Sequence, residues 1–207
     1  VPIKYDDIYA FNNGYAQFQL DNKWGFVNKH GKEVIPPKYD LAYDFFDDVA
    51  RVSLNNKWGF VNKSGKEIVP VKYDDTYNFV KGLASVKNGE KWGLVDKTGK
   101  EVVTPKYDSI IALMYSDFIS VSNNKKFGFL NKEFKEIIET KYDDYAELYG
   151  DLVAVKQNGK WGILNTKNEV IQPFKYDRIE GVNDDEAEGS IGNKLYRINY
   201  QGEASPK

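Results

Sequence analysis

The stretch that decides the fold is KWGFVNKHGKEVIPPKYD at residues 23–40, because close copies of it return along the chain. Residues 57–67 read KWGFVNKSGKE and residues 91–101 read KWGLVDKTGKE. Shorter copies follow at residues 126–131 (KFGFLN), 160–165 (KWGILN) and 194–199 (KLYRIN), the last one much altered. A repeat at a fixed spacing decides the fold class before any single residue is considered.

Two markers fix the spacing of the repeat. The tyrosine of a Lys-Tyr-Asp motif recurs every 34 residues, with one step of 35, at Tyr5, Tyr39, Tyr73, Tyr107, Tyr142 and Tyr176. A large apolar residue before the repeat glycine keeps the same period, at Trp24, Trp58, Trp92, Phe127 and Trp161, with Leu195 in the last copy. The spacing predicts a single repeat domain over residues 1–207, made of six units, of which the last (177–207) is degenerate.

Each unit is predicted to contain four short antiparallel strands. In the second unit these are residues 41–46, 49–54, 57–62 and 67–71, and residues 49–54 alternate between apolar and polar side chains as a strand does. Asn55-Asn56 has the chemistry of a two-residue hairpin turn, and Gly65 suits a left-handed loop position. Pro70 favours an edge strand for the last segment. No apolar stripe of helical period is present, so we predict no helix.

The same turn chemistry recurs in the other units. Asn88-Gly89 and Asn158-Gly159 are predicted to replace Asn55-Asn56 as hairpin turns. The fourth unit has Phe134 where the others have glycine or asparagine. Because a bulky residue is disfavoured at positive φ, we expect that loop to differ from its equivalents.

Two all-β architectures fit six such units. In a β-propeller each four-stranded meander is a blade, and a strand from one terminus completes the last blade. In an open β-solenoid each unit contacts only its neighbours, and polar end units cap the stack. The order of strands and turns favours the propeller-like ring over the open solenoid, while the polar sixth unit suits the solenoid.

Composition excludes several classes of function. The net charge is −2, with 29 basic and 31 acidic residues spread evenly, which argues against nucleic-acid binding. The absence of cysteine excludes disulfides and thiolate chemistry. No apolar run approaches the length of a membrane-spanning helix. The chain starts at Val1 rather than methionine, which favours a mature secreted or cell-envelope protein over a cytoplasmic one.

The recurring string Lys-Trp-Gly-Phe-Val-Asn-Lys-x-Gly-Lys-Glu-Val-Ile-Pro-x-Lys-Tyr-Asp resembles the WG-repeat family of bacterial proteins. The resemblance covers the chain from Val1 to about Gly202, and Phe127, Leu195 and Tyr196 depart from the pattern. It implies an all-β repeat protein that serves as an interaction module, without a general ligand or activity.

Residues that recur in every unit are predicted to be structural. A large ring once per unit is expected to pack adjacent units together, so Trp24, Trp58, Trp92, Phe127 and Trp161 are assigned to the core rather than to ligand binding. The Asp of each Tyr-Asp pair is expected to accept backbone hydrogen bonds in a turn. His30, the only histidine, occupies a loop position that also takes Ser, Thr, Glu, Lys and Gln, so it is expected to face solvent.

No cofactor or metal is predicted. None of the acidic pairs has the spacing of a calcium loop, and only the acidic run at residues 184–186 is left open as an ion site. No phosphate-binding or nucleophile motif is present.

The predicted contact surface comes from aromatic side chains that vary between units and follow each Tyr-Asp pair. These candidates are Tyr43, Phe45, Phe46, Tyr77, Phe79, Tyr115, Tyr145 and Tyr149, with Met114 and Leu148 beside them. The alternative for these residues is a half-buried place in the core.

The sequence therefore predicts a non-enzymatic protein-interaction or scaffold module, because no single-copy catalytic constellation is present. The alternative is a glycan- or cell-wall-binding module in which exposed rings stack on sugars. An enzyme is disfavoured.

Overall fold

The computed structural model describes residues 4–113, 117–148, 150–181, 186–199 and 201–207. These residues form six four-stranded antiparallel sheets, each built from four strands that are consecutive in sequence, and they contain no helix. The all-β prediction with six repeated meanders is therefore confirmed. The chain divides into two compact units, Val1–Pro105 and Lys106–Lys207, called here the N-terminal and C-terminal units.

The first three meanders follow one another at the start of the chain. Meander one consists of β1 (Asp7–Ile8), β2 (Tyr15–Leu20), β3 (Lys23–Asn28) and β4 (Glu33–Tyr39). Meander two consists of β5 (Leu41–Ala42), β6 (Val49–Leu54), β7 (Lys57–Asn62) and β8 (Glu67–Tyr73). Meander three consists of β9 (Asp75–Thr76), β10 (Leu83–Asn88), β11 (Lys91–Asp96) and β12 (Glu101–Tyr107).

The remaining three meanders repeat this order. Meander four consists of β13 (Ser109–Ala112), β14 (Ile119–Asn123), β15 (Lys126–Leu130) and β16 (Glu136–Tyr142). Meander five consists of β17 (Asp144–Glu147), β18 (Leu152–Gln157), β19 (Lys160–Asn165) and β20 (Val170–Tyr176). Meander six consists of β21 (Arg178–Gly181), β22 (Glu186–Ile191), β23 (Lys194–Asn199) and β24 (Ala204–Pro206), so its sheet takes all four strands from the last repeat. The preference for a ring over an open solenoid stays a prediction.

Strand limits in meander two show what the residue pattern determines. β6 and β7 begin and end at the predicted residues. β5 is shorter than the predicted strand at residues 41–46, since it has only two residues. The chain then turns between Phe46 and Val49 through Asp47 and Asp48, both at positive φ. β8 continues through Pro70 as an edge strand, where the missing N–H of proline breaks no ladder.

Two predicted turns differ from expectation. The third hairpin connects β10 to β11 through Gly89 and Glu90, one residue later than predicted, with Gly89 at φ +60°. Phe134 adopts φ +62°, and its loop is built like the others, so the prediction of a different loop is wrong. The side chain of Asn131 accepts hydrogen bonds from the backbone N–H groups of Glu133 and Lys135, at 3.1 and 2.9 Å. These bonds hold the loop in a conformation that phenylalanine alone disfavours.

The glycine after the aromatic residue allows a bulge between the third and fourth strands. Trp24 pairs with Tyr39 and Phe26 pairs with Ile35, so three residues of β4 lie opposite Gly25 alone. A Cβ added to Gly25 would lie 2.5 Å from the carbonyl oxygen of Ile35. The backbone of β4 therefore approaches this glycine too closely to leave room for a side chain.

Meander six lacks the repeat glycine and also lacks the bulge. It has Tyr196 in place of the glycine, and its β23–β24 pairing runs in regular register without a bulge. Tyr196 lies across from Gly189 of β22, whereas Gly59 of meander two lies across from Val52 of β6. The small and large members of the cross-strand pair have exchanged strands, which keeps the space between them filled.

The core consists of layers between successive meanders. Between meanders one and two the layer includes Phe26, Ile35, Tyr39, Phe45, Ala50, Val52 and Val61. Equivalent layers join meanders two and three, four and five, and five and six. Meanders two and five therefore bury both faces of their sheets against neighbours, as expected of a repeat array.

Candidate binding surface

Three exposed tyrosines of the N-terminal unit, Tyr9, Tyr43 and Tyr77, lie at equivalent repeat positions 34 residues apart, and the exposed ring of Phe46 follows Tyr43 by three residues. Tyr43, Phe46 and Tyr77 are 48%, 62% and 56% exposed, so they are available to a partner. Tyr9 is 55% exposed and was missed by the sequence analysis, although it follows Tyr5 by the same four residues that separate Tyr43 from Tyr39. We call Tyr9, Tyr43, Phe46 and Tyr77 the aromatic surface.

Other predicted contact residues lie in the core. Phe45 is 3% exposed, and its ring centroid lies 4.7 Å from that of Phe26 in the preceding meander. Phe79 is equally buried, 4.8 Å from the ring of Phe60. Both phenylalanines are packed between meanders, so the structure places them in the core rather than on a surface. The alternative prediction, a place in the core, is therefore the correct one for Phe45 and Phe79.

The remaining predicted contact residues belong to the C-terminal unit. Tyr145 is half-buried against Phe127 and Phe129, and its hydroxyl donates to the Ser120 hydroxyl at 3.1 Å. Leu148 is fully buried. Tyr115 and Tyr149, with Met114 and the acidic pair at residues 184–185, lie outside the described residues.

The repeat tryptophans support the tyrosines of the aromatic surface. Trp24, Trp58 and Trp92 are half-buried, as is Phe127, and only Trp161 is nearly fully buried. Ring centroids are 5.4 Å apart for Tyr9–Trp24 and 5.9 Å for Tyr43–Trp58. Tyr77 and Trp92 are stacked, with centroids 4.9 Å apart and ring planes 16° from parallel. Each tryptophan therefore fixes one exposed tyrosine as well as packing against its sheet.

A cleft of about 530 Å³ opens beside these rings within the N-terminal unit. Tyr9, Tyr43 and Phe46 contribute its aromatic walls, and its polar groups belong to Asn12, Gln17, Asp44 and Asn78. Gln17 donates to Oδ1 of Asp44 at 2.6 Å, and Asn12 donates to Oδ2 of Asp44 at 3.4 Å. The volume lies in the range of ligand-binding clefts, and two of the polar side chains donate to one carboxylate.

One cation reinforces the aromatic surface. The guanidinium carbon of Arg51 lies 4.3 Å from the ring centroid of Tyr43 and 4.5 Å from that of Trp58. Its Nη1 donates to the backbone carbonyl of Thr76 in meander three at 2.7 Å. Arg51 therefore holds two rings by cation–π contact and ties meander two to meander three. The repeat pattern did not point to Arg51, because the equivalent positions in the flanking meanders hold other residues, Gln17 in meander one and Ser85 in meander three.

The repeat pattern and the family comparison agree. The model of the WG containing repeat matches six successive stretches of the chain, residues 1–24, 24–58, 58–92, 92–127, 127–161 and 161–186. The chain belongs to the WG-repeat family. No curated protein matches it.

Solved structures resemble this WG-repeat chain only distantly. Hsv2p of Kluyveromyces lactis is 11% identical over 93% of this chain and 73% of its own, with a TM-score of 0.44. Apo AztD from Citrobacter koseri is 12% identical over 98% of this chain and 71% of its own, with a TM-score of 0.47. PorZ of Porphyromonas gingivalis is 8% identical over 98% of this chain and 32% of its own, with a TM-score of 0.38. We draw no functional argument from likenesses at this level.

The recurring charged residues of the WG repeats link neighbouring meanders. The carboxylate of Asp74 accepts hydrogen bonds from Lys57 of the preceding meander at 2.5 Å and from the backbone N–H of Gly89 at 2.7 Å. These two bonds, the lysine first, hold the pKa of Asp74 below its usual value. Asp40 is bound in the same way by Lys23 and the N–H of Asn55, and its pKa is lowered too. The predicted structural role of the Tyr-Asp aspartates is confirmed.

The tyrosine of the same motif is likewise engaged. The hydroxyl of Tyr73 donates to Glu101 at 2.6 Å, and burial followed by this carboxylate raises the pKa of the tyrosine. Lys72 pairs with the same carboxylate at 2.9 Å. His30 is exposed in its loop, as expected. Motif residues are thus used in packing and in links between meanders.

Residues 4–113, 117–148, 150–181, 186–199 and 201–207 contain no group of three or more His, Asp or Glu side chains placed to hold a metal ion. Among the same residues no helix has the length and apolar character needed to cross a bilayer.

Proposed function

We propose that this WG-repeat chain is a non-enzymatic protein-interaction module whose contact surface is the aromatic surface and the adjoining cleft of the N-terminal unit. The observation that supports this most is the exposure of Tyr43, Phe46 and Tyr77 on consecutive meanders, beside Tyr9. Exposed tyrosine and phenylalanine clusters of this kind mark protein-binding surfaces, because large rings bury much area at low entropic cost.

The use of the remaining residues supports a binding role over catalysis. Carboxylates such as Asp74 and Glu101, which an acid–base mechanism would need, are held by lysines and backbone N–H groups between meanders. The carboxylate in the cleft, Asp44, accepts hydrogen bonds from the side-chain amides of Gln17 and Asn12.

The test is affinity capture from an extract of the source organism with three forms of the protein. A Phe46→Ser, Tyr77→Ser double variant alters the aromatic surface. A Val170→Ser, Leu195→Ser double variant is the matched control, because these exposed side chains (57% and 44%) lie outside the cleft. We expect one set of proteins to be retained by wild type and control and lost with the aromatic variant, with melting temperatures unchanged. Retention of that set by the aromatic variant would overturn the proposal.

The second candidate is a glycan-binding module, which the cleft lining favours. Flat rings beside Asn12, Gln17, Asp44 and Asn78 could stack on a sugar and bond its hydroxyls. A glycan array distinguishes the two. Saturable binding of an oligosaccharide that the Phe46→Ser, Tyr77→Ser variant loses would favour the glycan, and a blank array with successful protein capture would favour the protein partner.

A further inference from the structure

The aromatic surface is a row rather than a single pocket. Tyr9, Tyr43 and Tyr77 occupy the same repeat position on meanders one, two and three, and each ring contacts the repeat tryptophan of its own sheet. Arg51 contacts the rings of both Tyr43 and Trp58 and so helps to hold this pair in place. Tyr9 and Tyr43 also line the cleft, so it is bordered by rings of two successive meanders, which suits an elongated ligand.

The sheet edges near this row offer little backbone for strand addition. The first strands β1, β5 and β9 are two residues long. The opposite edge strands β4 and β8 contain Pro36, Pro37 and Pro70, each of which removes a backbone donor. A peptide that binds by joining a sheet needs a longer edge with free donors, so this binding mode is disfavoured here.

Among the described residues that line the cleft, Asp44 carries the one carboxylate, and there is no lysine or arginine. The guanidinium of Arg51 contacts the Tyr43 ring, but it is engaged by the Trp58 ring and the carbonyl of Thr76. An ionised carboxylate offers about four acceptor positions, and the amides of Gln17 and Asn12 use two of them. The carboxylate can therefore accept further hydrogen bonds from a basic side chain of a ligand.

We infer that the aromatic surface binds an extended, proline-containing segment of the partner in polyproline II conformation, with a basic side chain of that segment paired to Asp44. Such segments dock into grooves between aromatic side chains, and they do so at low entropic cost because their conformation is preformed. The inference rests on the protein-binding function proposed above and specifies the chemistry of the segment that is bound.

The test is fluorescence anisotropy with three labelled ten-residue peptides and the whole protein. One peptide is polyproline with a single central arginine, the second has alanine in place of the arginine, and the third is a glycine–serine peptide with the same arginine. We expect saturable binding of the proline peptide with arginine and no saturable binding of the glycine–serine peptide. The proline peptide with alanine should bind about fivefold more weakly, because a factor of that size is the upper end of the effect of a solvent-exposed ion pair.

Variants assign the effect to the cleft. Asp44→Asn should make the first two peptides bind equally, and Phe46→Ser, Tyr77→Ser should weaken both by at least about tenfold, since truncating aromatic anchors at an interface has effects of that size. The control Val170→Ser, Leu195→Ser should bind as wild type.

Three outcomes would overturn the inference. They are equal binding of the glycine–serine peptide, displacement of the proline peptide by a chitin or cellulose hexasaccharide, and failure of both proline peptides to bind. If the last occurs while affinity capture still depends on Phe46 and Tyr77, the protein-binding function stands and only the proposed segment is wrong. If capture also fails to depend on these rings, both proposals fall.

Discussion

The close contact at the repeat glycine makes Gly59→Ala the most informative single change to the fold. A Cβ at this position would lie 2.5 Å from the carbonyl oxygen of Val69 and 2.8 Å from the carbonyl carbon and oxygen of Pro70. All three atoms belong to the backbone of β8, so no side-chain rotation relieves the overlap. Overpacking of this kind typically costs about 1–3 kcal/mol, and we expect the upper half of that range.

Melting temperature and urea midpoint measure this cost directly. For a chain of this size each kcal/mol corresponds to a shift of about 2–4 °C, so Gly59→Ala should lower the melting temperature by about 4–12 °C. The matched control is Gly162→Ala in meander five. Its Cβ would lie 2.9 Å from the carbonyl oxygen of Gln172 and 3.1 Å from ring atoms of Phe174, which can move. An equal or larger loss of stability for Gly162→Ala would refute the reasoning.

Three further predictions concern a ring in the core, a loop residue at positive φ and an ion pair. Phe45→Ala should lower the free energy of unfolding by about 3–5 kcal/mol, because the ring is packed between meanders. Phe46→Ala should change the free energy of unfolding by less than about 0.5 kcal/mol, because this ring is exposed. Equal losses in urea titrations would contradict the assignment of Phe45 to the core and Phe46 to the surface. Phe134→Gly should raise the free energy of unfolding by about 1 kcal/mol, because glycine adopts positive φ without strain, and an unchanged or lower urea midpoint would argue against strain in this loop. Lys57→Gln should raise the pKa of Asp74 toward its ordinary value in an NMR titration, since the lysine is the main cause of the lowered pKa. The pKa of Asp74 is lower in the folded state than in the unfolded state. The contribution of Asp74 to stability is therefore complete above about pH 4 and is lost as pH falls through the folded-state pKa. An Asp74 in the wild-type protein that titrates at the ordinary value would contradict the lowered pKa.

The fold was predicted well from the sequence because similar strand and turn residues recur in six units. The alternation in residues 49–54 and the Asn55-Asn56 turn determine β6, β7 and their register without any long-range information. Phe134 shows where this reasoning stops. Its loop follows the common conformation because the Asn131 side chain and two backbone hydrogen bonds outweigh the preference of a single residue.

The candidate site was predicted less well, because exposure at these positions depends on the neighbouring meander. Phe45 and Phe46 are adjacent and equally apolar, yet one fills the space beside Phe26 and the other points into solvent. With only two residues in β5, strand alternation does not extend far enough to tell them apart. Arg51 occurs once at its repeat position, and only the structure shows that it lies against Tyr43.

The measurement that tests the account most directly is site-specific photocrosslinking in source extract, with p-benzoylphenylalanine replacing either Tyr77 or Val170. Both side chains are more than half exposed, so the reagent is equally accessible at the two positions. If the aromatic surface is the contact surface, a discrete crosslinked product forms from position 77 and not from position 170. The same product from both positions, or a product from position 170 alone, would contradict the central claim.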